Sequence, residues 1–351
     1  MANSTSTGIL NTTVSPSTEK GSFSFTIKLV STLLLITTII LTLLGNSLVI
    51  RAFIVFRKLQ NVTNYFVVSL AVTDILVALF SMPVWTVYLL TGPHWLFSTW
   101  FHRIWQSMDI LCSVASITHL LLISIERYIC ISSPLTYHSI VTTRKARVAI
   151  FVAWLFALVM TILKLLLWGG PTKVYQLTSF VLCFATPVLV MSYAYIMIFR
   201  VSRTQAKKMI FKIGEKTKRF CLPKELKAAK TLGVVMGAFV LCWFPFFFLN
   251  VYHALCPSCP IDAGAVMVAK GLHYFNSVLN PIIYSLMNKQ FKTAFKHLFY
   301  LTYSNLSGRG PVMTRLDVDK QLSFTYFSSL KSRSSMQEKS RAEENNLPQR
   351  V

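Results

Sequence analysis

Long runs of apolar residues, separated by short polar connections, fill the chain from residue 29 to residue 286. A membrane-spanning helix needs roughly 20 predominantly apolar residues in succession. Seven stretches reach that length, at residues 29–55, 64–90, 99–131, 147–168, 176–201, 229–254 and 262–286. The pattern therefore predicts an all-α membrane protein, a bundle of seven transmembrane helices occupying residues 29–287.

A shorter segment with a different pattern follows the seventh stretch. Phe291, Phe295, Leu298 and Phe299 recur at helical spacing, with lysines between them. Such a segment is typical of an amphipathic helix on the membrane surface, and we expect it at residues 288–300. Residues 301–351 are polar and rich in serine, and we expect them to form a disordered cytoplasmic tail.

Composition and charge give the bundle an orientation. Of the 351 residues, 54% are hydrophobic and 13% are charged, with a formal net charge of +23. Lys and Arg concentrate in the connections 56–63, 132–146 and 202–228. By the positive-inside rule these connections are cytoplasmic and the N terminus is extracellular. The same clustering argues against a nucleic-acid-binding face.

The N-terminal tail, residues 1–28, is rich in Ser and Thr and shows no cleavable signal peptide. Asn3 and Asn11 each begin an Asn-X-Thr triplet, so both are expected to be glycosylated. Cys256 and Cys259 share the predicted extracellular loop between the sixth and seventh stretches. A short disulfide is expected there, since a zinc site would need two more ligands.

The third stretch contains an acid and an arginine at opposite ends. Asp109 and Arg127 are 18 residues apart, about five helical turns or roughly 27 Å. A charge inside a membrane helix is by default a functional hypothesis. Asp109, near the outer end, is either a counter-ion for a ligand's ammonium group or part of a salt bridge with Lys270, Arg103 or Lys164.

Aromatic residues in the sixth stretch favour the first of these alternatives. The run Cys242–Phe248 contains one Trp, four Phe and Pro245, and Ser113 lies one turn deeper than Asp109. Aromatic rings near a carboxylate suit an ammonium with an aromatic body. A run of this kind is also common in simple packing.

A second acid lies deeper. Asp74 falls in the middle of the second stretch and cannot be left unpaired in hydrocarbon, so polar groups of other helices should converge on it. The candidates are Asn46, Ser116, Asn276, Ser277 and Asn280. Two interpretations remain open, a sodium ion held by these oxygens and a protonated Asp74 in a hydrogen-bond network.

At the cytoplasmic end, the third stretch closes with Glu126-Arg127-Tyr128, and Pro134-Leu135 follow. Arg127 could pair with Glu126 and with Glu225 at the base of the sixth stretch. Such a contact would form a latch that holds the two helices together until a partner displaces it. The alternative is an arginine that simply extends into the membrane interface.

Together these residues resemble the class A, rhodopsin-like G-protein-coupled receptors over residues 29–300. The motifs that carry the resemblance are Gly45-Asn46, Leu70–Asp74, Glu126-Arg127-Tyr128, Trp154, Pro187 with Tyr195, Cys242-Trp243-Phe244-Pro245, Asn280-Pro281 with Tyr284, and Phe291. Any one of them is weak, but the full set stands in order and in the matching stretches.

The resemblance implies a plasma-membrane receptor that is not an enzyme and has no cofactor except a structural sodium ion. It places that ion at Asp74, Ser116, Asn276 and Asn280, beside Trp243. It implies coupling to a heterotrimeric G protein through Glu126, Arg127, Tyr128, Pro134, Leu135, Tyr195, Glu225, Asn280, Pro281 and Tyr284. Receptor kinases and arrestin would act on tail residues, which are Ser323, Thr325, Ser328, Ser329, Ser332, Ser334, Ser335 and Ser340.

Within that family the pattern is most similar to the biogenic and trace amine receptors. Asp109 falls on their amine-binding aspartate, and the implied ligand pocket consists of Asp109, Ser113, Ser179, Trp243, Phe246, Phe247, Asn250 and Tyr274. We therefore expect a monoamine ligand with an aromatic body. Alternatives are a non-amine ligand, with Asp109 paired to Lys270 or Arg103, a constitutively active receptor, and a channel or transporter.

Three departures from the family pattern concern the outer half. His102 stands where the family has a disulfide-forming cysteine, and the loop 169–175 is short and contains no cysteine. Gly271 stands where amine receptors typically carry tryptophan. Ser179 is followed by Phe180 and Cys183 at the positions of catechol-binding hydroxyls, which argues against a catechol ligand.

Overall fold

Each of the seven apolar stretches is helical in the computed structural model, which describes residues 24–91, 96–133, 136–167, 172–213 and 218–306. The first four helices are α1 (Phe25–Val55), α2 (Val62–Thr91), α3 (Thr99–Ser132) and α4 (Thr143–Leu166). The fifth, α5, consists of Thr172–Ser179, a π-helical segment Phe180–Ala185, and Thr186–Ile213. The bundle ends with α6 (Lys218–Leu255) and α7 (Ala263–Met287).

The outside of the bundle is apolar. Leu34, Phe151, Leu189 and Leu241 are each more than half exposed, as expected for side chains that face lipid. Among the described residues, six helices, α1 to α6, contain a segment long and apolar enough to cross a membrane. The helix α7 is less apolar because it carries a polar row that faces the interior, namely Lys270, His273, Asn276, Ser277 and Asn280.

The amphipathic helix predicted at 288–300 is present as α8, but it runs over Lys289–Leu306 and so ends six residues later than predicted. Its buried residues Phe291 and Leu298 belong to one apolar cluster with Val49 and Phe56. Phe299, in contrast, is 63% exposed. One set of apolar residues of α8 therefore packs against the C-terminal end of α1, and another is exposed on the side where a membrane surface would lie.

The central helix is α3, which contacts α2, α4 and α5. His119 of α3 is fully buried, and its Nε2 atom lies 2.7 Å from the Ser69 hydroxyl of α2. Trp154 of α4 donates its indole N–H to the same hydroxyl over 3.1 Å. Because a buried polar group is stable only when it is hydrogen-bonded, this triad fixes the relative rotation of three helices.

A close backbone approach joins α1 and α7. A Cβ atom added to Gly45 would lie 2.7 Å from Cγ of Pro281, closer than carbon atoms pack. The next residue, Asn46, donates from Nδ2 to the Ser277 carbonyl over 3.2 Å. Glycine is therefore required at position 45 to let the two helices meet, and the contact holds α7 against the core.

Candidate functional site

The outer half of the bundle encloses a cavity between α3, α5, α6 and α7. Seven of the eight predicted pocket residues line it, namely Asp109, Ser113, Ser179, Trp243, Phe246, Phe247 and Asn250. The eighth, Tyr274, is fully buried directly behind Asp109. The cavity volume is about 150 Å³, below the roughly 300–1,000 Å³ of most ligand pockets. The site is therefore suited to a small molecule.

Asp109 is paired inside the protein. Its Oδ2 atom accepts a hydrogen bond from Nζ of Lys270 over 2.6 Å, and both side chains are about nine-tenths buried. The Lys270 Nζ atom also lies 5.0 Å from the ring centroids of Phe246 and Tyr274. Of the three partners that the sequence offered, the structure brings Lys270 to Asp109. The salt bridge and the ligand site thus share one carboxylate.

A second contact of Asp109 comes from Tyr274, which also reaches a distorted segment of α2. Residues Val77–Ser81 form a π-helical segment in that helix, and the Ser81 carbonyl accepts a hydrogen bond from the Trp105 indole over 3.1 Å. The Tyr274 hydroxyl lies 3.4 Å from Oδ1 of Asp109 and 3.5 Å from the same Ser81 carbonyl. A π-helical turn is common at functional sites, and here its carbonyl orients the groups around the carboxylate.

A buried histidine lies behind Ser113 and Trp243, which form the floor of the cavity. The Nε2 atom of His273 lies 3.0 Å from the Ser113 hydroxyl. Its ring is 4.3 Å from that of Trp243 and 5.1 Å from that of Phe246. The sequence analysis missed His273, although an ionisable residue inside a membrane helix would have been a sufficient signal. It connects the carboxylate region to the aromatic residues of α6.

The α5 wall contains a second residue that the sequence analysis missed. Gln176 is 5% exposed, and its side-chain oxygen has no hydrogen-bond partner among the described residues. The predicted Ser179 hydroxyl donates back to the Gln176 carbonyl over 2.9 Å. Opposite, Nζ of Lys164 lies 5.3 Å from the Tyr175 ring. This side of the cavity is therefore more polar than predicted.

On α6, the predicted pocket residues are mostly aromatic. The rings of Phe246 and Phe247 are 5.7 Å apart, and Phe247 lies 6.0 Å from Trp243. Asn250 donates from Nδ2 to the Phe246 carbonyl over 2.7 Å, so its amide oxygen is the group left to face a ligand. The wall offers packing surface and one acceptor.

Deeper in the bundle, Asp74 is hydrogen-bonded to Asn280, and the other predicted polar residues are buried. Asn280 donates from Nδ2 to Oδ2 of Asp74 over 2.8 Å, and Asn276 is buried. Within the described part of the chain, Oδ1 of Asp74, Oγ of Ser116 and Oδ1 of Asn46 have no hydrogen-bond partner. Carboxylate, hydroxyl and amide oxygens are the donors that hard cations prefer, so this set fits a sodium ion.

At the C-terminal end of α3, Glu126 is the centre of a small network. It accepts hydrogen bonds from the Thr63 hydroxyl over 2.9 Å and from the Tyr137 hydroxyl over 2.5 Å. Arg127 forms an ion pair with Glu126, Nε to Oε2 3.1 Å, and donates to the Thr63 hydroxyl. Burial and the Glu126 contact raise the pKa of Tyr137. Thr63 and Tyr137 were not predicted.

The remaining predicted coupling residues are partly outside the described residues and partly packed against neighbouring helices. The Glu225 side chain, Pro134 and Leu135 lie outside the described residues. The same is true of the predicted glycosylation sites Asn3 and Asn11 and of the tail residues 323–340. A Cβ atom on Gly233 of α6 would lie 2.9 Å from the Tyr195 hydroxyl, so that tyrosine packs closely on α6. Tyr128 faces Tyr193 at 6.3 Å, and Tyr284 faces Phe291 at 6.0 Å.

Two features predicted for the extracellular side are the Cys256–Cys259 disulfide and the unusual histidine at position 102. Cys256 and Cys259 are joined by a disulfide in the connection between α6 and α7. His102 is buried, with its ring 5.8 Å from that of Trp105. It therefore packs beside Trp105 of the same helix, at the position where the family pattern has a disulfide-forming cysteine.

Comparison with known proteins gives consistent matches. Residues 45–284 match the family model described as 7 transmembrane receptor (rhodopsin family). A protein of Rattus norvegicus named histamine H2 receptor is 33% identical over 299 residues, covering 80% of this chain and 82% of that protein. A protein of Chilo suppressalis named octopamine receptor beta-2R is 32% identical over 335 residues, covering 82% of this chain and 84% of that protein.

Proposed function

Because the chain belongs to the rhodopsin family of seven-transmembrane receptors, we propose that it is a plasma-membrane receptor for a small extracellular monoamine with an aromatic body. One observation carries the proposal. Asp109 is the single acid among the described residues that line the outer cavity, and most of the other walls are apolar or aromatic. A carboxylate in such surroundings recognises an ammonium group through ion pairing, cation–π contact and burial.

The relatives support the same ligand class. The printed names of two of them refer to histamine and octopamine. Both molecules are small amines with an aromatic ring. The contact between Asp109 and Lys270 adds a condition to this recognition, because a ligand amine has to compete with the lysine for one carboxylate.

We place the N terminus and the cavity on the extracellular side. The basic residues of the connections 56–63, 132–146 and 202–228 support this orientation. Asn3 and Asn11 would then be available for glycosylation. The Glu126 network and the surface that binds a heterotrimeric G protein would lie in the cytoplasm.

Activation would start from the floor of the cavity. A ligand that contacts Trp243 favours the conformation of α6 to which it binds more tightly. It can shift the equilibrium between the two conformations only by the difference between its affinities for them. Outward movement of α6 would open the cleft beside Arg127, which is 37% exposed at its side chain. The G protein would bind there, and receptor kinases and arrestin would act on the serine-rich tail.

We also propose that Asp74, Ser116, Asn276 and Asn280 hold a sodium ion in the resting receptor. The buried Oδ1 of Asp74 and Oγ of Ser116, which have no hydrogen-bond partner among the described residues, support it. A bound ion would supply a positive charge to Asp74 and fix the spacing of α2, α3 and α7. The alternative is a protonated Asp74.

The test is a screen of aromatic monoamines against cells that express the full chain, with second-messenger readouts. We expect at least one amine to activate the receptor and the Asp109→Asn variant to lose that response at equal surface expression. A panel without any response, combined with high basal signalling, would overturn the proposal in favour of a constitutively active receptor.

A further inference from the structure

The charges that line the outer cavity are not those expected of a site for a simple cation. Asp109, Lys164 and Lys270 are the charged groups among the described lining residues. With all three ionised, two cations and one anion leave the cavity with a formal charge of +1. A site for an ammonium alone is favoured by net negative charge, because like charges repel at close range.

Lys270 has no easy route to solvent. It is 7% exposed, and its Nζ atom is enclosed by the Asp109 carboxylate at 2.6 Å and two aromatic rings at 5.0 Å. A ligand ammonium that takes over Asp109 leaves this charge with the rings as its remaining contacts. Aromatic contact compensates only part of a lost buried ion pair. Binding of a simple amine is therefore opposed by the lysine.

A ligand with an anionic group beside its ammonium removes that penalty. Resting on the function proposed above, in which Asp109 binds an amine, we propose that the ligand is a zwitterion of the aromatic α-amino acid type. Its ammonium pairs with Asp109 and its carboxylate pairs with Lys270. The ammonium and the carboxylate of such a ligand are attached to the same carbon. Their short spacing matches the close approach of Asp109 and Lys270, so both can be paired at the same time.

The rest of the cavity agrees with this arrangement. The aromatic body of such a ligand packs against Phe246, Phe247 and Trp243. Lys164, whose Nζ atom lies 5.3 Å from the ring of Tyr175 on α5, lines the same cavity and adds attraction for an anion. Asp109, Lys270 and the two charged groups of the ligand then each have an opposite charge beside them.

The test compares three matched probes from each of tyrosine, tryptophan and histidine. They are the amino acid, its decarboxylated amine and its deaminated acid, applied to cells that express the full chain. At the unmutated receptor we expect at least one amino acid to act at a concentration at least about tenfold lower than its amine. The deaminated acid, which cannot pair with Asp109, should be inactive.

Variants of Lys270 separate the contribution of the carboxylate. Lys270→Met should reverse the order, so that the amine becomes the more potent probe, and Lys270→Arg should preserve the original order. If the Lys270→Met variant does not reach the cell surface, Lys270→Gln replaces it in the comparison, because it keeps a hydrogen-bond donor for Asp109 without the charge. Lys173→Met removes an equal charge from an exposed site and should change nothing.

Two results would overturn the inference, and they differ in what they leave standing. If amines are as potent as the amino acids and lose their effect in Asp109→Asn, the zwitterion is wrong and the amine receptor remains. If neither class activates a receptor that is present at the surface, both the zwitterion and the proposed function are wrong.

Discussion

Nζ of Lys270 on α7 lies 2.6 Å from Oδ2 of Asp109 on α3, and both side chains are buried. The carboxylate that the sequence offers to a ligand is thus already occupied by a cation of the protein itself. A tethered cation lowers the apparent affinity of any competing ammonium, because the ligand gains only the difference between the two pairings. We therefore expect this pair to influence which ligands the site accepts.

The first prediction concerns the stability of the ligand-free receptor. Lys270→Met should lower the free energy of unfolding by about 3–5 kcal/mol, because it leaves the Asp109 charge buried without its partner. In the double variant Asp109→Asn with Lys270→Met most of that loss should disappear. Apparent thermal midpoints of the detergent-purified protein measure both. Additive losses in the double variant would mean that the two side chains are not energetically coupled.

The second prediction concerns basal signalling. Thr63→Val removes the hydroxyl that donates to Glu126 and accepts from Arg127, so it weakens the resting arrangement and leaves Arg127 only its ion pair with Glu126 among the contacts described above. Agonist-independent second-messenger production should rise several-fold at equal surface expression. Thr38→Val is the matched control, since the Thr38 hydroxyl bonds only within its own helix. Equal basal activity in the two variants would exclude a restraining role for Thr63.

The third prediction concerns the ion proposed at Asp74. An ion bound in the resting bundle stabilises that state by linkage, so it should weaken agonist binding. Agonist affinity should be several-fold lower in sodium chloride than in choline chloride at the same ionic strength, and Asp74→Asn should abolish the difference. A sodium effect that persists in Asp74→Asn would place the ion elsewhere.

The fourth prediction concerns the packing of α1 on α7. Gly45→Ala should destabilise the receptor by about 1–3 kcal/mol, because the added methyl group overlaps the rigid Pro281 ring. Gly237→Ala is the control, since a Cβ atom there meets no other atom within 4 Å. That change should be neutral or stabilise by up to about 1 kcal/mol. Similar thermal midpoints for the two variants would contradict the close contact at Gly45.

The helices were predictable because each one is dictated by its own sequence. A run of apolar residues long enough to cross a membrane has few other stable structures, so the existence of α1 to α7 followed from length and hydrophobicity. The amphipathic pattern of α8 was equally local. The end of α8 was not predictable, because helix ends fray and the local sequence marks their boundaries only weakly.

The pairing of Asp109 was not predictable because it depends on how α3 and α7 are rotated and offset against each other. Lys270, Arg103 and Lys164 were all possible partners from the sequence, and only the packed bundle selects among them. The π-helical turn before Met82 is of the same kind, since the Ser81 carbonyl finds its partners in Trp105 and Tyr274 of other helices. Such contacts belong to the assembly of helices rather than to any one of them.

The most direct test of the central claim is amine-stimulated nucleotide exchange on a heterotrimeric G protein by the purified receptor in lipid vesicles. The unmutated receptor, Asp109→Glu and Asp109→Asn would be compared with a probe that is active in cells. We predict that exchange depends on the probe, survives at reduced potency in Asp109→Glu, and is lost in Asp109→Asn. Undiminished exchange by Asp109→Asn would contradict recognition of the ammonium by this carboxylate.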